Sequence, residues 1–505
     1  MNPGLTTIHP EMLTMSPDQF ALLCPYLFCI VGAIVALLFC TLPALLGKWA
    51  TFLTAILTIC AGIAASVQIF LTPGGILFNS MMIVDPYSQF FNILFLGTAL
   101  ITVLSSFRYL DREGIQHPEY YVLVLFSAIG MMLMVSALDM IVLFISLEIM
   151  SLSVYTLVGF RRSDRKSNEA AMKYFILGGV ASAILLYGVA LIYGVTGSNN
   201  ISEIVAFTQR SVELPILFSV GALLVIAGFL FKVAAVPFHM WMPDVYEGAP
   251  TPITGFMTTG LKAAAFATFL RVFISLGLAD SISSGFEDKI HHIIWIAGAL
   301  TMIVGNLIAL TQVQLKRMLA YSSIAHTGYI LIGFVSAGRN EIGFSAIVVY
   351  LLGYAIMNIG AFVILTMLSS KGDGNLTLQE MSGISNKHPW LAFSMAVFLF
   401  SMAGIPPTVG FVAKYWLFYS AIQSGEYVLV ILGVLCSAIS VYYYLRVLVY
   451  MYMREWIPSD VVGEQPQRFS KACALAVCAT LILTIAIGVM PTHILQIARQ
   501  AVIGL

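Results

Sequence analysis

The chain has 505 residues, 60% of them hydrophobic and only 10% charged, where a soluble domain carries about 25% charged residues. So few charges cannot cover a water-facing surface; lipid is the main solvent and a soluble enzyme is excluded. The 24 basic and 24 acidic residues cancel, which leaves no electrostatic footprint for nucleic acid.

The first charges are Glu11 and Asp18, and no Lys or Arg precedes Lys48. A cleavable signal peptide needs a basic n-region, so the first apolar run is expected to remain as a helix. Crossing the hydrocarbon takes about 20 apolar residues, and runs bounded by polar or Gly/Pro breaks give about fourteen spans. Those at 22–46, 49–71 and 86–107 form an N-terminal three-helix segment over 1–118. Those at 119–136, 139–160, 168–196, 213–248 and 251–277 form a five-helix unit over 119–277. A second unit over 291–454 has spans at 291–312, 317–337, 342–369, 390–424 and 426–453, and 470–495 is a last helix. Runs this long exclude sheet, so the fold class is an all-α polytopic membrane protein.

Basic residues give the direction. Loops that share one side hold Lys48, Arg108, Arg112, Arg161, Arg162, Arg165, Lys166, Lys316, Arg317, Lys371, Lys387, Arg454, Arg468 and Lys471. The opposite loops hold only Arg210, Lys289, Arg339 and Arg499. This asymmetry predicts that the rich side is cytoplasmic and that both termini face the outer side. Residues 107–119 and 161–166 are expected to be solvated loop faces. The cysteines, Cys24, Cys29, Cys40, Cys60, Cys436, Cys473 and Cys478, all fall in apolar runs without metal-ligand spacing. With no Walker loop and no dinucleotide fingerprint, no metal and no cofactor are expected on this chain.

Three local matches recur in order. Tyr155–Phe160 (YTLVGF) resembles Tyr329–Phe334 (YILIGF), Val233–Pro237 resembles Met402–Pro406, and Phe269–Phe273 resembles Tyr444–Leu448, at offsets of 174, 169 and 175. The repeat unit is five spans, an odd number, so the second copy sits upside down. Inverted repeats of this kind are a usual scaffold of ion transporters, with broken helices and sites near the midplane; a duplicated bundle with only structural meaning is the plainer reading. Spans 7 (213–248) and 12 (390–424) are expected to be discontinuous, because Pro237 and the pair Pro406-Pro407 each remove backbone donors. Freed carbonyls in a membrane are tolerated where protein or water meets them, and both breaks are read as hydrated cavity linings.

Six basic residues lie inside apolar runs: Lys173, Lys232, Lys262, Arg271, Lys414 and Arg446. Glu148 is near the middle of span 5, Lys262 near the middle of span 8 and His326 near the middle of span 10. Lys232 precedes one break and Lys414 follows the other. A midplane Lys costs about 2.5–3.5 kcal/mol to insert, too much for decoration, and these three are too deep to snorkel. Burial disfavours the charged form and pairing restores it, so a Lys whose distance to a Glu can change is a proton acceptor and donor. Arg271 and Arg446, at equivalent ends of spans 8 and 13, are read as interfacial anchors. His239 and His326 are either relays or hydrogen-bonded structural histidines.

The segments around Glu148 (LEIMS), Phe231–Trp241 (FKVAAVPFHMW), Asp244–Pro252 (DVYEGAPTP), Leu315–His326 (LKRMLAYSSIAH) and Gly404–Lys414 (GIPPTVGFVAK) resemble the antiporter-like membrane subunits of respiratory complex I over nearly the whole chain. Within that family the chain lacks the long lateral helix that marks subunit L, and it has Lys414 where subunit M leads one to expect Glu. The resemblance implies a proton-translocating subunit of a bacterial NADH:quinone oxidoreductase, a translocase with no electron chemistry on this chain. Glu148 would be the span-5 carboxylate paired with Lys232, Lys262 the central lysine, and Lys414 the lysine of the far half-channel. Lys173 would modulate the Glu148–Lys232 pair and His326 would be the span-10 link. FMN, iron–sulfur clusters and quinone would belong to the parent complex. Partners would be other membrane-arm subunits, with subunits M and K as neighbours, and lipids, in the bacterial inner membrane. The alternatives are a cation/proton antiporter subunit, in which carboxylates matter more than lysines, and a scaffold that carries no protons.

Overall fold

In the computed structural model, residues 16–211, 214–275, 286–337, 340, 342–370, 372–373, 376–455 and 470–503 are described. Glu11, Arg339, Lys371, Arg468 and the last two residues of the eighth span, 276 and 277, lie outside them. The N-terminal segment consists of α1 (Pro17–Phe39), α2 (Ala44–Phe70), a two-stranded hairpin, β1 (Gly75–Leu77) with β2 (Met82–Val84), and α3 (Pro86–Glu113). Helix α1 starts at a capping box in which Ser16 and Gln19 satisfy each other's backbone N–H. Helix α2 follows Pro43. Both begin about five residues before the apolar runs do, because the capping box at Ser16 and the proline at 43, not hydropathy, set these starts.

Next come α4 (Glu119–Ser136), α5 (Met140–Val158), α6 (Arg165–Thr196), a short α7 (Ile201–Arg210), α8 (Ile216–Lys232) and α9 (Trp241–Gly248). Span 8 is α10 (Thr251–Phe256), a π-helical turn over Met257–Leu261, and α11 (Lys262–Ser275). The second unit has α12 (Phe286–Thr311), α13 (Leu315–Ala337), α14 (Ile342–Leu368), the single turn α15 (Ile384–Lys387), α16 (Pro389–Ala403), α17 (Val409–Gln423) and α18 (Tyr427–Met453). Helices α19 (Lys471–Val489) and α20 (Pro491–Val502) close the chain. Among the described residues, 12 helices are long and apolar enough to cross a membrane, and α8 and α16 are shorter apolar helices. These two are the first halves of the discontinuous spans, so the expected fourteen crossings are present. Helices α7 and α20 had no counterpart in the sequence reading, since both are short and polar on one face.

The two breaks have one backbone design. After α8, Ala234 N–H donates to Phe231 O and Ala235 N–H to Leu230 O; after α16, Gly404 N–H donates to Ser401 O and Ile405 N–H to Phe400 O. Each is a Schellman closure, with the left-handed position taken by Ala234 (φ +56°) and Gly404 (φ +88°). The closures correspond at an offset of 170, so Pro237 aligns with Pro407, one residue on from the Pro406 match that sequence similarity suggests. At the first break three backbone groups are met by protein side chains. Thr327 Oγ1 donates to Val233 O (2.8 Å), Thr301 Oγ1 accepts from Val236 N–H (2.9 Å), and Trp241 Nε1 donates to Phe231 O (3.1 Å).

Helices α13, α14 and the α10–α11 segment are buried along nearly their full length, whereas α1, α2, α6, α18 and α19 turn Leu, Ile, Val and Phe outward, as a lipid-solvated rim requires. The buried α10–α11 span is fastened at both ends. Thr251 N–H donates to Asp373 Oδ2 (2.8 Å) at its start. Near its end, one guanidinium nitrogen of Arg271, Nη2, donates to both oxygens of Asp85 at 2.9 Å, and the guanidinium sits over the Tyr87 ring. Arg271 is thus an internal clamp and not an interfacial anchor. Arg446 caps the carbonyls of Leu310 and Gln312 at the end of α12. Breaking a buried ion pair from one side leaves a bare charge and costs about 3–5 kcal/mol. Arg271→Met is therefore expected to lower the thermal midpoint of the purified protein sharply, and Asp85→Asn combined with Arg271→Met, which removes the bare charge while keeping a side-chain oxygen to cap α3, to recover part of the loss.

Candidate functional site

Lys232 is the last residue of α8, where the negative end of the helix dipole favours a cation. Its side chain is 8% exposed, and Nζ donates to Ser151 Oγ (3.1 Å) and Tyr155 Oη (3.5 Å) on α5. Glu148, Ser151 and Tyr155 lie three and seven residues apart on one stripe of that helix. Glu148 Oε1 is buried without a hydrogen-bond partner among the described residues, and no ion pair within 4.0 Å joins it to Lys232. Lys232 thus meets the face of α5 that carries Glu148, but about one turn along from it. Sliding Nζ from Ser151 to Glu148 means roughly 5 Å of travel, within reach of a lysine rotamer change.

Lys262 follows the π turn directly, a device that re-aims side chains and recurs at functional sites. It is 3% exposed; Nζ donates to Ser323 O (2.7 Å) and Ser323 Oγ (2.5 Å). Tyr354 Oη donates to the same Ser323 Oγ at 2.7 Å. One turn further along α13, His326 is held at both ring nitrogens, by Tyr350 Oη (2.6 Å) and Tyr444 Oη (3.2 Å), and Tyr444 also meets Ser322.

Lys414, 5% exposed, folds back from α17 onto the end of α16. Nζ donates to Ala403 O (3.0 Å) and Ser437 Oγ (2.9 Å) and lies 5.0 Å from the Tyr329 ring centre. Gly404 suits this position, since its φ of +88° strains any side chain and a Cβ would come within 2.9 Å of Lys414 Cδ. Ala403 O and Val233 O are equivalent in the two closures; one receives a cation, the other the neutral Thr327. Among the described residues no carboxylate is within ion-pair distance of Lys262 or Lys414, so their ammonium groups are held only by hydroxyls, carbonyls and aromatic faces. Such partners stabilise a charge without fixing it, which suits a group that must gain and lose a proton.

Lys173 lies elsewhere. Its Nζ reaches Glu169 (2.7 Å) and Asp244 (2.9 Å), with the side chain 41% exposed, and not Glu148. Arg317 pairs with Asp244 and Glu247, and Lys166 with Glu247. Thus Lys262, His326 and Lys414 are brought into one buried polar seam, Glu148 and Lys232 form a second, and Lys173 belongs to a charged rim. The sequence reading missed the hydroxyls of Ser151, Tyr155, Ser323, Tyr350, Tyr354 and Tyr444. Ser322 and Ser437 carried a signal, because the repeat offsets align them with Glu148 and Lys262.

Comparison with known proteins gives a consistent setting. The family described as NADH:quinone oxidoreductase/Mrp antiporter, TM, matches residues 137–440, a stretch that contains Glu148, Lys173, Lys232, Lys262, His326 and Lys414. NADH-quinone oxidoreductase subunit N of Trichlorobacter lovleyi is 47% identical over 428 residues, 84% of this chain and 85% of that protein. A chain in the structure of respiratory complex I from Thermus thermophilus is 32% identical with a TM-score of 0.76, covering 94% of this chain and 98% of that one. A chain of the Mrp complex from Dietzia sp. is 21% identical with a TM-score of 0.84, covering 96% and 97%, and shares the fold.

At the end of the bundle where α10 starts, Asp373 is fully enclosed. It accepts from Tyr109 Oη (2.9 Å), Thr251 N–H and Lys316 Nζ (3.3 Å), with Arg161 at 4.0 Å. Arg161 is itself buried and donates to Gly372 O, so it is not part of a solvated loop face. Burial alone would raise the Asp373 carboxyl, but Lys316 and Arg161 beside it hold it below its ordinary 3.8. A depressed folded value means that the stabilisation is complete above 3.8 and lost as pH falls through the folded value. The thermal midpoint is expected to fall as pH drops below about 4, and Asp373→Asn, lower than the native protein above that pH and level with it once Asp373 is protonated, to lose that part of the slope.

Proposed function

The chain belongs to the NADH:quinone oxidoreductase/Mrp antiporter membrane family, and from that premise we propose that it is the proton-translocating subunit N of a bacterial NADH:quinone oxidoreductase. The observation that carries the mechanism is a set of enclosed lysines, Lys232, Lys262 and Lys414, none with a carboxylate within ion-pair distance among the described residues. Lipid offers no solvation to an ammonium group, so each is sensitive to any charge that moves nearby.

In this reading residues 119–277 and 291–454 are two inverted repeats, each contributing a half-channel. Lys232 takes a proton from the cytoplasmic side while it lies against Ser151 and Tyr155. Its exchange of those hydroxyls for Glu148 changes its hold on that proton. A difference of about 4 kcal/mol alters occupancy roughly a thousandfold, and one nearby charge displaced in a poorly screened interior supplies that much. Transfer runs to Lys262, then by His326 to Lys414, which releases to the outer side. Lys173, tied to Asp244 and Glu169, tunes the charge around the entry.

The chain does no electron chemistry; FMN, iron–sulfur clusters and quinone act on other subunits. Its neighbours are subunits M and K and the lipids of the bacterial inner membrane, with both termini on the outer side. The test uses the whole complex in sealed vesicles. Glu148→Gln and Lys232→Met are each expected to reduce protons taken up per NADH, while transfer from NADH to a soluble electron acceptor is unchanged. Normal uptake in both would sink the mechanism. Sodium exchange driven by a pH gradient alone, without redox turnover, would favour an antiporter instead.

A further inference from the structure

An imidazole exchanges protons only at its two nitrogens, and in His326 both are occupied by phenols. Tyr350 Oη is 2.6 Å from Nδ1 and Tyr444 Oη is 3.2 Å from Nε2, and all three residues are buried. Neither Lys262 nor Lys414 makes a hydrogen bond to the ring; their ammonium groups bond instead to Ser323 and to Ala403 and Ser437.

The two phenols come from different helices, and each helix leads to a different lysine. Tyr350 is four residues from Tyr354 on α14, so the two share a face, and Tyr354 donates to the Ser323 hydroxyl that holds Lys262. Tyr444 is seven residues from Ser437 on α18, two turns along the same face, and Ser437 holds Lys414. Ser322, which the repeat offset aligns with Glu148, bonds to the Tyr444 hydroxyl. The second repeat therefore places a phenol and a serine where the first has its carboxylate.

We propose that Tyr350 and Tyr444 are the entry and exit hydroxyls of His326, through which every proton passing between Lys262 and Lys414 travels. This rests on the reading of Lys262, His326 and Lys414 as one path. Tyr350 gives its hydroxyl proton to Nδ1 and is refilled from the Lys262 side. Nε2 gives its proton to Tyr444, whose own proton passes on toward Lys414. One proton moves, both phenols end neutral, and the imidazole is left as its other tautomer. His326 thus passes one proton and needs its ring turned over before the next, which opposes free leakage in either direction.

The experiment compares Tyr350→Phe, Tyr444→Phe, Ser322→Ala and His326→Ala in the assembled complex, reading protons taken up per NADH in sealed vesicles. Both phenylalanine variants are expected to fall to the level of the His326→Ala complex, and Ser322→Ala, which keeps both phenols, to retain more. Normal uptake in both phenylalanine variants alongside an impaired His326→Ala complex overturns the relay and leaves the wider path standing. An unimpaired His326→Ala complex overturns both. If a phenylalanine variant does not assemble, 3,5-difluorotyrosine at the same position preserves shape while making the phenol more acidic. The pH profile of translocation is then expected to shift, and an unshifted profile overturns the relay.

Discussion

Hydrocarbon solvates neither a charge nor an unpaired backbone group, and the interior of this protein is arranged around that fact. Breaking a helix inside the membrane leaves carbonyls that must be met, and burying a lysine leaves an ammonium group with the same need. At the second break the two requirements answer each other: Lys414 donates to the carbonyl of Ala403, released by the end of α16. At the first break Thr327 and Thr301 complete the backbone, while Lys232 sits at the helix end with hydroxyl partners from α5. The discontinuous helices are thereby a means of holding charge at a depth where lipid would not.

Rigidity is placed where charge must not move. Asp85 with Arg271 at one end, and Asp373 with Lys316 and Arg161 at the other, pin the span that carries Lys262. These ends are about 30 Å apart, and between them lies the π turn. The proposed proton path is lined by the opposite kind of contact. Lys262, His326 and Lys414 touch carbonyls, which accept, and serine and tyrosine hydroxyls, which both accept and donate, and none of these partners carries a charge that would trap the proton. Glu148 apart, carboxylates hold the frame and hydroxyls line the proposed path.

Much of this was legible in the sequence because hydropathy and proline are strong signals. Fourteen spans, the breaks at Pro237 and Pro406-Pro407, and the enclosed Lys232, Lys262 and Lys414 follow from long apolar runs interrupted by residues that lipid penalises. Helix ends were less legible, since Ser16 acts through a capping box and Pro43 through its fixed backbone, and a hydropathy window ignores both. The π turn before Lys262 left no mark, because Met257–Leu261 reads as ordinary helix. The Arg271 clamp was misread because its partner, Asp85, is 186 residues away, and contact between distant residues has no local signature. The serines and tyrosines of the proposed path were invisible for a related reason: hydroxyls are common in membrane helices, and only packing says which of them face a lysine. The separation of Glu148 from Lys232 is likewise a matter of side-chain conformation.

The central claim is that Lys262 carries the proton between the two halves of the chain, and it is tested most directly at that residue. Proton uptake per NADH would be measured in vesicles containing the complex with Lys262→Met, beside the unmodified complex. The account predicts that uptake falls while electron transfer to a soluble acceptor persists, because the methionine fills the same space without a titratable group. Uptake equal to that of the unmodified complex would contradict it and would place the proton path elsewhere.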